Sequence, residues 1–372
     1  MNPLQTLTEQ VRAAHAARQP LAIRGGATKA FHPQTAGLAG EPLDMRALSG
    51  ILSHEPTELV ITARAGTPLA EIETALAEHG QYLPFEPPQF GAGGTGGGAG
   101  GGTLGGMVAA GLSGPARASV GAVRDYVLGM EILNGQGQLL RFGGQVMKNV
   151  AGYDVARLMA GSWGQLGVIT EVSLKVLPLP VLEATLRFEC TQDQALQRLN
   201  QWGGQPLPLN ASCWLQLDGQ ALLYVRLRGA QAAVQAACQR MGGERLADVT
   251  DDWVACRDQR LPWFANRAAD HALWRLSVPQ TVPALALPTG IAAPLVEWHG
   301  GLRWVQAPLA AGDALRAAAR QAGGDATVFI ATSADITSVR GQFGIENPAL
   351  QAIHQRLKTA FDPAGILNTG RA

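Results

Sequence analysis

Four glycine-bearing turns contain the residue types in this sequence that are suited to holding a phosphorylated ligand. The first turn reads Arg24-Gly25-Gly26-Ala27-Thr28-Lys29 and follows a short apolar segment that predicts a β-strand. Successive backbone N–H groups in such a turn form a concavity for phosphate oxygens, to which Thr28 and Lys29 add a hydroxyl and a positive charge. An ordinary strand-to-loop turn has a similar composition, because glycine is common in turns of every kind.

Three further turns place small residues where the backbone can lie close to a flat or charged ligand. They read Thr103-Leu104-Gly105-Gly106 with Gly111-Leu112-Ser113-Gly114, then Val120-Gly121-Ala122-Val123-Arg124-Asp125-Tyr126, and then residues 148–154 with residues 161–170. The alternatives are a flexible linker for residues 91–102, a polar loop for the third turn, and a structural hydrogen-bonded pair for Tyr153 and Asp154. None of the four turns identifies a ligand by itself.

Several well-known site motifs are absent from the sequence. Residues 91–96 spell G-x-G-x-x-G, but Pro87 and Pro88 stand where a strand should precede, and no acidic residue follows about twenty positions later. There is no P-loop, and residues 111–115 fail the G-x-S-x-G pattern at the last position. The seven histidines lack metal-ligand spacing and the four cysteines form no C-x-x-C pair. We therefore expect no metal site and no iron–sulfur cluster in this chain.

The composition excludes several classes of protein. Of the 372 residues, 47% are hydrophobic and 16% are charged, which argues against extensive disorder. Basic and acidic residues number 29 each, so the electrostatic case for a nucleic-acid binder is missing. Residues 1–20 do not resemble a signal peptide, and no apolar stretch reaches the ~18 residues of a membrane span. We expect a cytoplasmic protein with reduced thiols, attached to the inner face of the membrane only peripherally, through partners.

The elements that must position the first turns are strands and one amphipathic helix. Apolar runs predict strands at residues 20–26, 59–66 and 167–177, and a hairpin around Asn134-Gly135. Thr67 is expected to cap the helix after the second strand, with Pro68 at its first position and Gly80 at its end.

A Pro-rich segment at residues 178–180 marks a domain boundary. After it, strand and helix patterns follow in β-α-β-β-α-β order, which is typical of an antiparallel sheet backed by helices. A last helix is expected near residues 348–361, followed by the tail. We expect one domain at 1–180, a second at 181–340, and a C-terminal helix and tail at 341–372 that pack back on the first.

In this order, the four turns and the tail Phe361-Asp362-Pro363-Ala364-Gly365-Ile366-Leu367-Asn368 resemble the PCMH-type, or vanillyl-alcohol-oxidase-like, FAD-binding flavoproteins. The strings PTELVITARAGTPLAEIE, RDYVLGMEIL, RFGGQVMKNVAGYD and GVITEVSLKVLP are similar, more narrowly, to the FAD-binding E subunits of bacterial glycolate oxidase. The resemblance runs nearly end to end. It implies an α+β fold, namely a two-lobed PCMH-type FAD-binding domain plus an antiparallel-sheet α+β cap domain, with the C-terminal tail returning to the FAD-binding domain.

The resemblance also implies which residues contact the cofactor. The pyrophosphate would lie on the first turn, formed by Arg24, Gly25, Gly26, Ala27, Thr28 and Lys29. A second FAD-contacting stretch would contain Thr103, Gly105, Gly106, Ser113, Gly121, Arg124 and Asp125. Val168 and Ile169 match a segment that contacts the nucleotide through its backbone, and Asn368 and Arg371 match the tail near the flavin. Many relatives attach FAD to a histidine in the first turn, and none stands there, so noncovalent FAD is expected.

The sequence departs from the family pattern at two places. The glycine run at residues 91–102, within a stretch of eleven glycines at 91–106, looks like an insertion and is expected to be partly a mobile surface loop. Relatives that oxidise 2-hydroxy acids have a histidine-rich G-H-x-G-D-G-N-x-H stretch in the cap. The nearest string here is Glu297-Trp298-His299-Gly300-Gly301, which does not match, so a metal-assisted substrate site is not expected.

The function that the resemblance implies is that of an FAD-binding subunit in a glycolate oxidase complex. The complex would oxidise glycolate to glyoxylate, with electrons passing through flavin to an iron–sulfur subunit, beside a sister FAD subunit. A substrate carboxylate needs a cationic partner, for which Arg303, Arg371 and Lys148 are the candidates. Two alternatives stay open: an autonomous FAD-dependent dehydrogenase for another small 2-hydroxy acid such as D-lactate, and a non-catalytic FAD-binding assembly subunit.

Overall fold

The computed structural model describes residues 2–91, 101–144, 154–331 and 348–369. They form two compact units. The first unit holds the described residues of the ranges 1–112, 122–179 and 340–372, and the second holds those of 113–121 and 180–339. Residues 113–121, which the sequence places in the first domain, pack with the second unit, where the Gly114 carbonyl accepts a 2.9 Å hydrogen bond from the Trp298 indole.

The first unit contains a five-stranded antiparallel sheet. Its strands, in spatial order, are β3 (Ile51–Glu55), β4 (Val60–Arg64), β8 (Val168–Lys175), β6 (Val127–Leu133) and β7 (Leu139–Gly143). The β6–β7 hairpin turns at Asn134-Gly135, which confirms the prediction. Helices α2 (Leu69–Ala77) and α3 (Leu104–Ala110) bury their apolar residues, among them Ile72 and Val108, against the sheet residues Ile61 and Val172. Apolar burial of this kind is the main source of stability for the unit.

The first unit also contains two short strand pairs and an N-terminal helix. Strand β1 (Leu21–Arg24) pairs in parallel with β2 (Glu41–Asp44), and β5 (Gln81–Tyr82) pairs with β9 (Leu177–Pro178). Helix α1 (Pro3–Ala17) buries Leu7 and Val11 in a small core that also contains Ile366 and Leu367 of the tail. The remaining helices are α5 (Val123–Tyr126), α6 (Val155–Met159) and α12 (Pro348–Phe361). The tail therefore packs against the strand that leads into the first glycine turn.

The start of helix α2 differs from the prediction. The helix begins at Leu69 after Pro68, and no side chain caps it. The Thr67 hydroxyl instead accepts a hydrogen bond from the Gly50 amide at 2.9 Å and donates one to the Arg64 carbonyl at 2.7 Å. Because the hydroxyl is engaged in that turn, it does not serve the helix N-terminus.

The second unit is an eight-stranded antiparallel sheet with helices packed on it. Its strands, in spatial order, are β13 (Glu244–Leu246), β10 (Leu182–Glu189), β12 (Gln220–Gly229), β11 (Leu209–Leu217), β15 (Leu295–Glu297), β16 (Leu302–Ala307), β14 (Ala272–Ser277) and β17 (Asp325–Ile330). Its helices are α4 (Arg117–Val120), α7 (Gln192–Gly203), α8 (Gln231–Met241), α9 (Thr250–Arg257), α10 (Pro262–Ala265) and α11 (Gly312–Gln321). The predicted β-α-β-β-α-β order, whose last strand is LWRLSV, holds from β10 through α7, β11 and β12 to α8, but β13, α9 and α10 come before that last strand, β14. Thr191 caps α7, whereas no side chain caps α8.

Candidate functional site

A cleft of about 240 Å³ lies in the first unit, at the end of β1. Eleven residues singled out from the sequence line it: Arg24, Gly25, Gly26, Ala27, Thr28, Lys29, Thr103, Gly105, Gly106, Ile169 and Asn368. They come from four distant parts of the chain. The structure therefore brings together the first glycine turn, the start of helix α3, the start of strand β8 and the tail.

Two glycines of the first turn lie so close to the second glycine stretch that no side chain fits between them. A Cβ on Gly25 would be 2.2 Å from Thr103 Oγ1, and a Cβ on Gly26 would be 1.8 Å from the carbonyl oxygen of Gly101. Neither distance is tolerated by a real Cβ atom. The next residue, Ala27, has a φ of +52°, which is uncommon for a residue with a side chain. The backbone of this turn is thus held against that of residues 101–103.

Helix α3 forms a wall of the cleft with little side-chain bulk. Thr103 Oγ1 accepts a hydrogen bond from the Gly106 amide at 3.3 Å and so caps the helix, which begins at Leu104. Gly105 packs against strand β4, since its Cβ would lie 2.7 Å from Ala65 Cβ and its amide donates to the Ala65 carbonyl at 2.8 Å. Ala109 and Ala110 continue the same wall. A smooth wall of small residues admits a flat ring system.

The C-terminal tail closes another side of the cleft through Asn368. Its Oδ1 accepts the Ile23 amide at 2.8 Å, and its Nδ2 donates to the Trp163 carbonyl at 2.7 Å. Its own amide donates to the Leu21 carbonyl at 3.0 Å. A Cβ on Gly164 would lie 2.6 Å from Asn368 Nδ2, which explains the glycine after Trp163.

Asn368 is held in place by a buried ion pair at the end of helix α12. Lys358 Nζ lies 2.5 Å from Asp362 Oδ2, and it also donates to the Gln165 and Leu367 carbonyls at 2.8 and 3.0 Å. Asp362 in turn accepts the amides of Ile366 and Leu367 at 3.1 and 2.8 Å. Lys358 therefore joins the tail to the turn before β8, at the residue that directly precedes Asn368.

Lys29 places a positive charge in this cleft. The residue is 9% exposed, and its Nζ lies 3.5 Å from Thr28 Oγ1 and 5.9 Å from the centre of the Phe90 ring. In the described ranges of the chain, no acidic side chain pairs with it. Burial lowers the pKa of Lys29 from 10.5 to about 8. A buried amine of this kind favours an anionic ligand, and a diphosphate supplies the missing charge.

These features fit the FAD that the sequence resemblance implies. Two glycine-rich segments meet at a buried lysine, as a pyrophosphate needs, and a smooth helical wall suits a flat ring. The cleft-lining residues include no histidine, cysteine or tyrosine among the described parts of the chain. The residues present therefore fit a dinucleotide held by non-covalent contacts.

Five residues expected at the cofactor do not line the cleft. Ser113 and Gly121 belong to the second unit. Arg124 and Asp125 are exposed in the first unit, where Arg124 Nη2 donates to the Ala160 carbonyl at 3.4 Å and Asp125 Oδ2 accepts the Ala122 amide at 2.8 Å. The Asp125 carboxylate thus caps its own short helix. Val168 is fully buried in the core beside α1, and its neighbour Ile169 lines the cleft instead.

Three cations were expected to meet a substrate carboxylate. Of these, Arg303 falls within the described residues, and Lys148 and Arg371 lie outside them. Tyr153 and residues 92–100 of the glycine run also lie outside the described residues. Arg303 is in the second unit and is 1% exposed. Its guanidinium donates to the carbonyls of Gly300, Pro283 and Val282 at 3.2, 2.7 and 2.6 Å. These contacts use its donors to tie a loop to the sheet.

The cofactor contacts expected from the sequence did not include several residues that line the cleft, although Trp163, Gly164 and Gly167 lie in the fourth glycine-bearing turn. The lining residues not included are Ile23, Ala30, Thr35, Gly37, Leu38, Met45, Ala65, Ala109, Ala110, Trp163, Gly164 and Gly167. Trp163 stacks on His32 with ring centres 4.4 Å apart, at a φ of +54°. A tryptophan between Ser162 and Gly164 was the available signal, but a sequence does not show that a residue adopts a left-handed backbone.

Comparison with known proteins agrees with this geometry. Residues 4–143 match the family model described as an FAD binding domain. The chain is 44% identical to the glycolate oxidase subunit GlcE of Escherichia coli (strain K12) over 367 residues, which cover 99% of this chain and 96% of that protein. It is 31% identical to the glycolate oxidase subunit GlcD of Bacillus subtilis (strain 168) over 169 residues, covering 45% of this chain and 34% of that protein.

The fold is also similar to that of a solved structure. p-Cresol methylhydroxylase with substrate bound matches with a TM-score of 0.68 at 13% identity, covering 100% of this chain and 87% of that chain. This likeness confirms the expected PCMH-type α+β fold. In the part of the chain that the structure describes, no helix has both the length and the apolar character to cross a membrane.

Proposed function

This chain belongs to the family of the glycolate oxidase subunit GlcE, and we propose that it is the FAD-binding subunit of a complex that oxidises glycolate to glyoxylate. The observation that supports this proposal most directly is Lys29, a buried cation without a carboxylate partner among the described residues, in a cleft lined by Gly25, Gly26 and Gly105. Bound FAD would supply the two-electron redox chemistry, which amino-acid side chains do not.

The chain's own residues bind and orient the cofactor in this proposal. The amides of Gly25 and Gly26 and the ammonium of Lys29 hold the pyrophosphate, where burial strengthens each charged contact. Thr28 and Thr103 add hydroxyl groups at the same place. The small wall of helix α3 lies against a ring face. The cofactor is bound noncovalently in this proposal, because the described lining contains no histidine, cysteine or tyrosine for attachment.

In the same proposal, the C-terminal tail closes one side of the cofactor cleft. Asn368 ties the end of strand β1 to the turn at Trp163, so it fixes the distance between two walls of the cleft. A wall held by hydrogen bonds from three chain segments loses less entropy when the cofactor binds. Binding thus depends on the C-terminal residues, 345 positions away from Ile23.

The partners are inferred from the relatives. The similar GlcE and GlcD proteins are both named as subunits of glycolate oxidase, so the proposed complex contains a sister FAD subunit. An iron–sulfur subunit would then receive electrons from flavin, and contact with it would attach this chain peripherally to a membrane. A small 2-hydroxy acid is the substrate of the complex.

The proposal is tested by expressing the chain alone and together with its partner subunits. We expect the single chain to purify yellow, with FAD that is released completely by acid precipitation, and to oxidise glycolate with an artificial acceptor only in the complex. A colourless chain would contradict FAD binding. Turnover of D-lactate by the single chain would favour the autonomous dehydrogenase, and full glycolate turnover by a complex whose chain has lost its FAD would favour an assembly role.

A further inference from the structure

A groove of about 420 Å³ lies on the first unit, between strand β3 and helix α2. Its lining consists of Ile51 of the strand, together with Ala70, Glu71, Thr74, Ala75 and Glu78 of the helix and its end. The strand and the helix also meet where the rings of His54 and His79 lie edge to face, with their centres 4.9 Å apart. Among the described residues, the groove shares no lining residue with the cofactor cleft, so it is a separate surface of the unit.

Strand β3 is an edge of the five-stranded sheet. In the described part of the chain it pairs with β4 and with no second strand. An edge strand presents backbone N–H and C=O groups to which another strand can pair, and natural edges are commonly protected by lysine or proline. Residues 51–55 read ILSHE and contain neither. Leu52, at the register shift of the β3–β4 pairing, is 48% exposed, so this edge can accept an added strand.

The helix side of the groove has little side-chain bulk. Ala70 and Ala75 have no atoms beyond Cβ, and the Thr74 hydroxyl donates to the Ala70 carbonyl of its own helix at 2.8 Å. Ile51 is partly buried and forms the strand side of the groove. A surface of this shape admits an extended backbone between strand and helix, which is how peptides are bound by strand addition.

The rim of the groove is negatively charged. Glu71 and Glu78 are exposed and stand two helical turns apart, so both lie on the same side of α2. Glu55 at the end of β3 and Glu58 just after it are also exposed. Within the described residues, no lysine or arginine forms an ion pair with any of these four carboxylates. Arg64, the one lysine or arginine between Glu55 and Glu78, lies 3.2 and 3.6 Å from two carboxylates elsewhere in the sheet.

Charge decides between the possible occupants of the groove. Two copies of this chain that paired along β3 about a two-fold axis would bring two glutamate rims together, and like charges repel each other. The anionic surface of a membrane is repelled for the same reason. A basic segment is attracted, because its lysine or arginine side chains supply the cations that the rim lacks. The complementary occupant is therefore a basic segment of a different protein chain.

We propose that the groove binds an extended, basic segment of a partner subunit, which adds a strand to the edge of β3. The backbone of the segment pairs with β3, and its lysine or arginine side chains meet Glu71 and Glu78 across the groove. That a partner subunit exists rests on the proposed function, whereas the groove, its open edge and its charge rest on the described residues. Because the groove and the cofactor cleft have different linings, docking and FAD binding can be measured separately.

A synthetic peptide tests the groove without any partner subunit. The probe is a peptide of alternating lysine and valine, about eight residues long, whose binding to the full-length, FAD-loaded chain is followed by fluorescence anisotropy. We expect Glu71→Lys/Glu78→Lys to bind it about tenfold more weakly or worse, because two attractions become repulsions. Glu71→Gln/Glu78→Gln should show a smaller loss and provides the test if the charge reversal does not fold. The matched control is Glu9→Lys, at an exposed glutamate of helix α1, which should leave the affinity unchanged.

Strand addition is tested with a peptide of the same sequence whose backbone nitrogens are methylated. This peptide keeps every charge but cannot donate hydrogen bonds to β3, so it should bind about tenfold more weakly. Equal affinity of the two peptides would overturn strand pairing. No binding of the unmethylated peptide, or equal binding to the parent and to Glu71→Lys/Glu78→Lys, would overturn the groove as a docking site.

The purified sister FAD subunit and iron–sulfur subunit then test the proposed occupant. Glu71→Lys/Glu78→Lys should weaken assembly with them by about tenfold or more, while its FAD content and melting temperature stay those of the parent chain. Undiminished assembly would overturn the proposal, and a dimer of the parent chain that this variant loses would assign the groove to a second copy. If the subunits bind neither chain, the proposed function fails, and the peptide titrations still decide the chemistry of the groove.

Discussion

Asn368, four residues from the C-terminus, accepts a hydrogen bond from the Ile23 amide at 2.8 Å, and the same side chain donates to the Trp163 carbonyl at 2.7 Å. Three segments that are remote in sequence therefore meet at one amide group. Each of the three lines the same cleft. The tail is thus a structural part of the candidate cofactor site, and its removal should be felt there first.

Replacing Asn368 tests this tail closure. Asn368→Ala leaves the Ile23 amide and the Trp163 carbonyl without partners, which costs about 1–3 kcal/mol for each group. Asn368→Gly also loses both bonds but tolerates the φ of +44° at this position. We expect both variants to lose FAD, measured as the ratio of flavin to protein after purification. Asn200→Ala, at an exposed asparagine of α7, is the control.

The comparison of the two variants separates side-chain bonding from backbone strain. If Asn368→Gly retained full flavin while Asn368→Ala lost it, strain at the left-handed residue would be the cause, and the hydrogen bonds would not. If both retained full flavin, the tail would have no part in cofactor binding.

The close approach of the first two glycine segments gives a second prediction. A methyl group on Gly26 would meet the Gly101 carbonyl oxygen at 1.8 Å, so Gly26→Ala must displace one of the two backbones. Overpacking costs about 1–3 kcal/mol, and if the turn must hold this conformation to bind FAD, the affinity falls by about 5- to 150-fold. Gly203→Ala adds the same atom where nothing lies within 4 Å. Equal FAD titrations for the two variants would show that this turn does not hold the cofactor.

Lys29 is expected to affect stability and FAD binding in opposite directions. In the FAD-free chain its folded-state pKa of about 8 lies below the unfolded value near 10.5, so its burial destabilises the fold below pH 8. That cost diminishes as pH rises from 8 toward 10.5. Lys29→Met should therefore raise the melting temperature of the FAD-free chain at pH 7, and it should weaken FAD binding by about tenfold or more.

The pH dependence of FAD binding supplies the check on Lys29. A bound diphosphate favours the charged amine, so the parent chain should bind FAD progressively more weakly as pH rises above about 8. Flavin fluorescence titrations between about pH 7 and 9.5 would show this slope in the parent and in Lys175→Met, a lysine at the end of β8. A similar slope in Lys29→Met would assign the titration to another group.

His299 predicts acid sensitivity of the fold. Its folded pKa of about 4 lies below the unfolded value near 6.5, so the unfolded chain binds the proton first and stability falls as pH drops from 6.5 toward 4. By pH 5 this loss amounts to about 2 kcal/mol. His299→Asn tolerates the φ of +55° and removes the titration. Urea unfolding at pH 7 and pH 5 should show a smaller pH effect in the variant than in the parent. An equal effect would exclude His299 as its source.

Local order in this protein was predictable from neighbouring residues. The β6–β7 hairpin follows from Asn134-Gly135 between apolar runs, and the order of elements from β10 to α8 in the second unit follows from hydrophobic periodicity. The first glycine turn was singled out as a candidate phosphate site because glycines, a threonine and a lysine follow a strand. These features depend on backbone preferences and side-chain periods that a short stretch of chain already contains.

Features that depend on contacts between segments distant in sequence were not predictable. Thr67 was expected to cap α2, but Gly50 and Arg64 take its hydroxyl. Residues 113–121 pack with the second unit, so Ser113 and Gly121 are not in the cleft of the first. Trp163 lies in the fourth turn but was not named as a cofactor contact, because its left-handed backbone is imposed by its surroundings.

Local patterns and overall similarity were sufficient to predict the kinds of turn, the fold class and the family from the amino acids alone. Packing of the folded chain set which glycines meet, that Arg303 donates to backbone carbonyls, and that Asn368 closes the cleft beside Ile23. The physical reason is that hydrogen-bonding groups take whichever partner the folded chain brings within about 3 Å, and that choice depends on packing between segments far apart in sequence.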